Sequence, residues 1–163
     1  MFKNKINKNL NNQLNLENYS ANLYLQMSAW CNIKNFKNAS IFLKKNSIEE
    51  LKHMEKIFNF LCEINILPII NLNISFKINF NSINDIFKKA YINEKKITRN
   101  INYISNIALK QKNFKIFHFL NWYILKQNEE EKTLKTILEN LKFFNNNKKN
   151  IFIFDNLFLS KYI

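Results

Sequence analysis

Residues 39–64 read ASIFLKKNSIEELKHMEKIFNFLCEI. Stepping alternately by four and three, this stretch puts Ala39, Leu43, Asn46, Glu50, His53, Ile57, Phe60 and Ile64 on one line. A 3.5-residue repeat of apolar and small residues marks a helix packed along its length against other helices. The line is apolar towards both ends and polar at its middle, where Glu50 and His53 stand three residues apart.

The same spacing recurs three times, once before this stretch and twice after it. One segment runs Leu10, Leu14, Glu17, Ala21, Tyr24, Ser28, Cys31, and another Phe87, Ala90, Glu94, Ile97, Ile101, Ile104, Ala108. The last runs Ile116, Leu120, Tyr123, Gln127, Glu130, Leu134, Ile137, Leu141. Four helices of roughly 40 Å, at about 1.5 Å per residue, account for these segments. Asn-rich breaks at residues 35–38 and around Lys112–Asn113 are short, so the helices they join are expected to be antiparallel neighbours. The stretch from Ile64 to Ser82 is long, holds the single proline Pro68 and has no helical stripe. It is expected to cross the full length of the bundle and make the second and third helices parallel. Its alternation of Ile70, Leu72, Ile74 and Phe76 with polar residues predicts an extended strap with one buried side. Ser82 is placed to cap the third helix, with Asp85 in its first turn. The fold expected is all-α: a four-helix bundle with a long crossover between helices 2 and 3 and a short C-terminal fifth helix. It forms a single domain over residues 1–163, with the bundle over about 5–143 and an apolar tail over about 150–163 that docks on the bundle or a neighbouring copy.

Composition removes several alternatives. The 163 residues include no Gly, which excludes Gly-rich phosphate loops, dinucleotide fingerprints, EF-hand loops and the nucleophile elbow. Val is also absent, and tight hairpins that require φ > 0 lack their usual residue, so a β-rich fold is disfavoured. Two cysteines make no disulfide framework, nothing resembles a secretory leader, and the run from Ile66 to Ile70 is too short to span a bilayer; a cytoplasmic protein without membrane contact is expected. The net charge of +13 invites a polyanion partner, yet Lys, Asn, Ile and Phe all have A/T-rich codons, and coding bias accounts for much of the excess.

The polar interruptions carry the functional signal. Glu17, Glu50 with His53, Glu94, and Gln127 with Glu130 fall near the middle of their segments, so helices in register bring all six to one height. Of 12 acidic residues, four occupy these inward positions, where drift would instead leave acids facing solvent. Burying several ionised carboxylates costs several kcal/mol per ion unless a cation lies among them. Glu50 and His53, at i and i+3, project from one face, and Gln127 and Glu130 repeat that geometry. Four carboxylates with one imidazole, one carboxylate being free to bridge, suit two iron or manganese ions.

Three stretches also resemble the bacterial non-haem ferritins: NLENYSANLYLQMSAWC at residues 15–31, EELKHM at 49–54 and FLNWYILKQNEEEK at 119–132. The similarity extends over nearly the whole chain. It implies an iron-storage protein with ferroxidase activity, which binds two Fe(II), oxidises them with O₂ or peroxide, and keeps ferric oxide inside a hollow homo-oligomeric shell of twenty-four subunits. Under this resemblance Glu17, Glu50 and His53 match a first iron site, Glu50 bridges, and Glu94 and Glu130 complete a second. Gln127 matches a polar residue beside the oxidant, and Tyr24 a tyrosine near the diiron centre. Trp122 matches either a redox partner or a packing anchor. Glu49 and Glu129 match part of a third iron site. Lys126 stands where that site has a carboxylate, so it is expected to be weak or absent. Haem is not expected, because Leu51 replaces a methionine ligand and Gln127 with Glu130 replaces a second Glu-x-x-His. His118 is expected to be a surface or packing residue. The alternative function, a DNA-binding protective bundle like the mini-ferritins, rests on charge alone; lysine is scattered, so nucleic acid is not an expected partner.

Overall fold

The structure is a computed structural model that describes residues 2–72, 79–144 and 147–163. Four long helices dominate it: α1 (Phe2–Ile33), α2 (Lys37–Glu63), α3 (Ile83–Lys110) and α4 (Phe114–Phe143). A short α5 (Lys148–Ile153) runs on through a wide turn, Phe154–Phe158, and a tight one, Leu159–Tyr162. None of the described helices is long and apolar enough to cross a membrane.

Helix ends show how the chain manages without glycine. α1, α2 and α3 each finish on a residue in the left-handed region: Asn35 at φ 63°, Asn65 at φ 56° and Lys112 at φ 53°. In each case the next amide reaches back five residues, Phe36 to Cys31, Ile66 to Leu61 and Asn113 to Ala108, closing the same hydrogen-bonded cap. Asn tolerates this conformation better than other side chains because its short polar group bonds locally; Lys112 has no such compensation. At the start of α3 the Ser82 hydroxyl accepts from the Asp85 amide, as the sequence predicts, and Asn113 does the same for Ile116 in α4.

The seam residues of all four segments line the interior, with Asn46, Ile64 and Glu130 only partly covered. Tyr24 on α1 bonds Glu94 on α3, and Gln13 bonds Asn100, so these two helices run antiparallel. Ser28 meets Ser40 and Ser47 meets Ala21, which sets α1 antiparallel to α2 as well. Helices α2 and α3 are therefore parallel, as the long crossover requires. The apolar interior comes in two separate clusters. One gathers Met27, Leu43, Phe87 and Ile137, the other Leu14, Leu61, Ile101 and Leu120, and the polar mid-height residues lie between them.

Two details depart from the sequence reading. Among its described residues the strap's predicted buried side is open: Ile70 and Leu72 are exposed, Leu72 at 91%. Polar bonds hold it instead. The Asn11 amide group bonds the Leu67 carbonyl and the Ile69 amide, and Asn15 does the same with Ile69 and Asn71. One turn of α1 thus pairs with extended chain as a strand would. Ile74 and Phe76 lie outside the described residues. The tail does dock on the bundle, burying Phe154 and Leu159 against α2. Its anchor is unexpected: the buried Asp155 carboxylate accepts from the Asn38 and Ala39 amides at the start of α2, which has no capping side chain of its own.

Candidate metal centre

Heptad spacing points Glu17, Glu50, His53, Glu94 and Gln127 inward from four helices, and each is almost completely buried. Glu130 reaches the same place with its side chain 13% exposed. Two groups of potential ligands result, Glu17–Glu50–His53 and Glu50–Glu94–Glu130, each with its ligand atoms within 4.8 Å of one another. Glu50 belongs to both. His53 Nδ1 is 3.2 Å from Glu50 and 4.0 Å from Glu17, while its Nε2 is 3.8 Å from Glu130. The Tyr123 hydroxyl donates to the His53 carbonyl at 2.8 Å, pinning α2 against α4 at this level.

Each carboxylate is held differently. Glu94 accepts from the Tyr24 hydroxyl at 2.5 Å and from the Gln127 amide on its other oxygen. Gln127 thus faces a carboxylate rather than standing free as a ligand. Glu17 accepts from Gln13 at 2.6 Å through one oxygen only. Three buried polar atoms have no hydrogen-bond partner here: Glu17 Oε2, His53 Nε2 and Glu130 Oε2. An orphaned buried donor or acceptor costs about 1–3 kcal/mol. They lie on three helices and belong to residues of the two ligand groups that share Glu50, an arrangement that bound cations would satisfy.

The electrostatics agree. Burial, followed by the charge of Glu50, pushes the Glu17 carboxyl well above the usual carboxylate range. Glu50 is raised by burial and then by Glu94. Glu94 is raised by burial, although its bonds from Tyr24 and Gln127 pull the other way. Glu130 is pushed up to about 8, by burial first and the Glu94 charge second. Burial and Glu94 also keep the Tyr24 hydroxyl protonated. The metal-free cluster holds protons that divalent cations would displace.

The remaining residues matched to the family lie around this core. Glu49 and Glu129 belong to neither ligand group among the described residues. Glu49 pairs with Lys52 at 2.7 Å, and Lys126 Nζ is 3.9 Å from Glu129. Both acids, with Lys126, Lys45, Glu130 and Tyr162, line a cavity of about 390 Å³ that opens beside Glu130. Trp122 is exposed; its ring meets His53 edge-on at 5.4 Å and carries Lys56 Nζ 3.3 Å from its centroid. His118 is exposed, as expected. Sequence reasoning missed Gln13, Tyr123 and the buried Ser20–Asn93 pair. Gln13, one turn before Glu17, was the most accessible of these, since i and i+4 share a helix face.

Comparison with known proteins follows the same line. The family described as "Ferritin-like domain" matches residues 7–144. Bacterial non-heme ferritin from Escherichia coli O6:H1 is 36% identical over 155 residues, covering 95% of this chain and 94% of the relative. That from Campylobacter jejuni is 34% identical, covering 95% and 93%. Among solved structures, the open pore ferritin of Archaeoglobus fulgidus matches with a TM-score of 0.90 at 30% identity, covering 96% of this chain and 94% of that one.

Proposed function

The chain belongs to the ferritin family, and on that premise we propose that it stores iron by binding two Fe(II) at the centre of its bundle and oxidising them. The observation that carries this reading is the set of three unpartnered buried atoms, on Glu17, His53 and Glu130, around a carboxylate, Glu50, that both ligand groups share. The first Fe(II) is taken by Glu17, Glu50 and His53, the second by Glu50, Glu94 and Glu130. Two Fe(II) supply two electrons, the number that takes O₂ to hydrogen peroxide or hydrogen peroxide to water. The carboxylates release their protons as Fe(II) binds. Tyr24 and Gln127 hold Glu94 in place through the cycle, and Tyr24, kept neutral, is placed to lend an electron. The chain forms one domain throughout and assembles into the family's twenty-four-subunit shell, where the ferric product collects as oxide. Haem has no part in this reading, because Leu51 and Gln127 are not haem ligands.

Anaerobic Fe(II) titration of the metal-free protein followed by admission of O₂ tests the reading, with Glu50→Ala run alongside. Two Fe(II) per chain and rapid oxidation are expected, both lost in the variant. Equal binding and oxidation by the two proteins would remove Glu50 from the centre and the two-iron scheme with it.

A further inference from the structure

Glu17 does not sit free in its cavity. Its Oε1 accepts from Gln13 Nε2 at 2.6 Å, and Gln13 is itself completely buried. An amide side chain alone does not fix which end faces the carboxylate. Here a second amide does, because Gln13 Oε1 accepts from Asn100 Nδ2 at 2.7 Å, across the α1–α3 interface. Asn100 is oriented in turn: its Oδ1 accepts from Asn12 Nδ2 at 3.4 Å. Three amides therefore run head to tail from the partly exposed surface to Glu17, each setting the direction of the next. Reversing Gln13 would place its carbonyl against the Glu17 carboxylate and its amide nitrogen against that of Asn100, leaving two repulsive contacts in a buried place.

The consequence falls on Glu17. With Oε1 engaged by Gln13, Oε2 is the freer oxygen: it is buried without a hydrogen-bond partner, 4.0 Å from His53 Nδ1. We propose that Gln13, locked by Asn100, is a positioning residue that makes Glu17 a single-oxygen ligand to the first metal ion. The proposal rests on the two-metal reading above and adds the denticity of one ligand and the residue that sets it. Partners of this kind, bonded to the atom of a ligand that does not touch the metal, are typically worth tenfold to a hundredfold in affinity.

The test uses the full-length metal-free protein, with Co(II) and Zn(II) as probes, in the parent, Gln13→Leu and Asn100→Ala. Leu fills the space of Gln without a donor. Anaerobic Co(II) titration is expected to show two ions bound by the parent, and a first ion held about tenfold more weakly by Gln13→Leu. The infrared difference spectrum on adding Zn(II) reads denticity directly. The splitting between the antisymmetric and symmetric carboxylate stretches is wide for a one-oxygen ligand and is expected to narrow in Gln13→Leu, as Glu17 engages through both oxygens. A purely structural role for Gln13 would not move that splitting. Asn100→Ala leaves Gln13 in place and removes only its lock; it is expected to shift both readouts the same way by a smaller amount, and it decides the matter if Gln13→Leu does not fold. Unchanged first-ion affinity and splitting in the folded variants, beside a parent that binds two Co(II), would overturn the positioning role alone. A parent that binds fewer than two Co(II) would overturn the two-metal reading and this proposal together.

Discussion

Glu130→Gln in the metal-free protein is expected to raise stability above neutral pH while weakening metal binding. The folded Glu130 carboxyl titrates at about 8 against an ordinary value of 4.5. A carboxyl raised in the folded state contributes fully below its unfolded value, and that contribution is lost as pH rises through the folded one. Between those two values the unfolded chain has released a proton that the folded chain retains, so unfolding becomes easier by about 1.4 kcal/mol for each pH unit. Across the whole interval one such group removes at most ~5 kcal/mol. The realised loss is smaller, because the Glu94 and Glu17 charges that hold the Glu130 proton on change over the same range. Gln has the same shape and no proton to lose, so the variant should follow a flatter profile. The assay is guanidinium unfolding of chelator-treated parent and variant at intervals from pH 5 to pH 8.5, repeated with saturating Zn(II). The parent should lose stability steadily as pH rises and regain it with Zn(II), whereas Glu130→Gln should lose less and gain less. A metal-free parent that is equally stable throughout, or more stable at the alkaline end, would refute the claim that these carboxyls are buried under electrostatic stress. So would a variant that declines as steeply as its parent.

Three further outcomes follow from particular contacts. Asp155→Ala removes the side-chain acceptor that, among the described residues, caps the start of α2, and should cost about 0.5–2 kcal/mol in chemical unfolding. Protease should cleave first in the loosened residues after α4; an unchanged digestion pattern would count against the anchoring role. Lys112→Gly, at a left-handed residue with no local compensation, should stabilise the fold by about 1 kcal/mol, against no gain if the backbone there relaxes. Lys126→Glu replaces the cation beside Glu129 and Glu130 with a carboxylate and should raise Zn(II) stoichiometry in equilibrium dialysis by one per chain over the parent; an unchanged stoichiometry would count against a further site there.

Much of this architecture was legible because its governing interactions repeat within a few residues. The 3.5-residue stripe fixes which side of each helix is buried, and mid-height polar residues on four stripes can only meet if the stripes face one another. Ser82 was readable for the same reason, since a cap acts on an amide three residues away. What escaped reading depends on pairs far apart in the chain. Asp155 caps a helix that begins 118 positions earlier, and no local pattern announces it. Gln13 meets Asn100 across a helix interface, where one more amide among 32 asparagines carries no distinguishing mark. Alternation alone does not distinguish a buried side from an open one, and the described strap residues Ile70 and Leu72 are open. The Asn11 and Asn15 side chains supply its hydrogen bonds whichever way Ile70 and Leu72 point.

The separation of the apolar interior into two clusters, with the carboxylates between them, divides the chain's tolerance of mutation into layers. Above and below the centre a position need only be filled to the right volume, so Ile, Leu, Phe and Met can exchange wherever the total is kept. In the middle layer Glu50 belongs to both groups of potential ligands and His53 to one, so charge, donor count and reach all bear on what can stand there. A genome can therefore rewrite most of this protein under compositional pressure without touching its chemistry. The long helices keep the rewritten layers and the preserved one mechanically continuous.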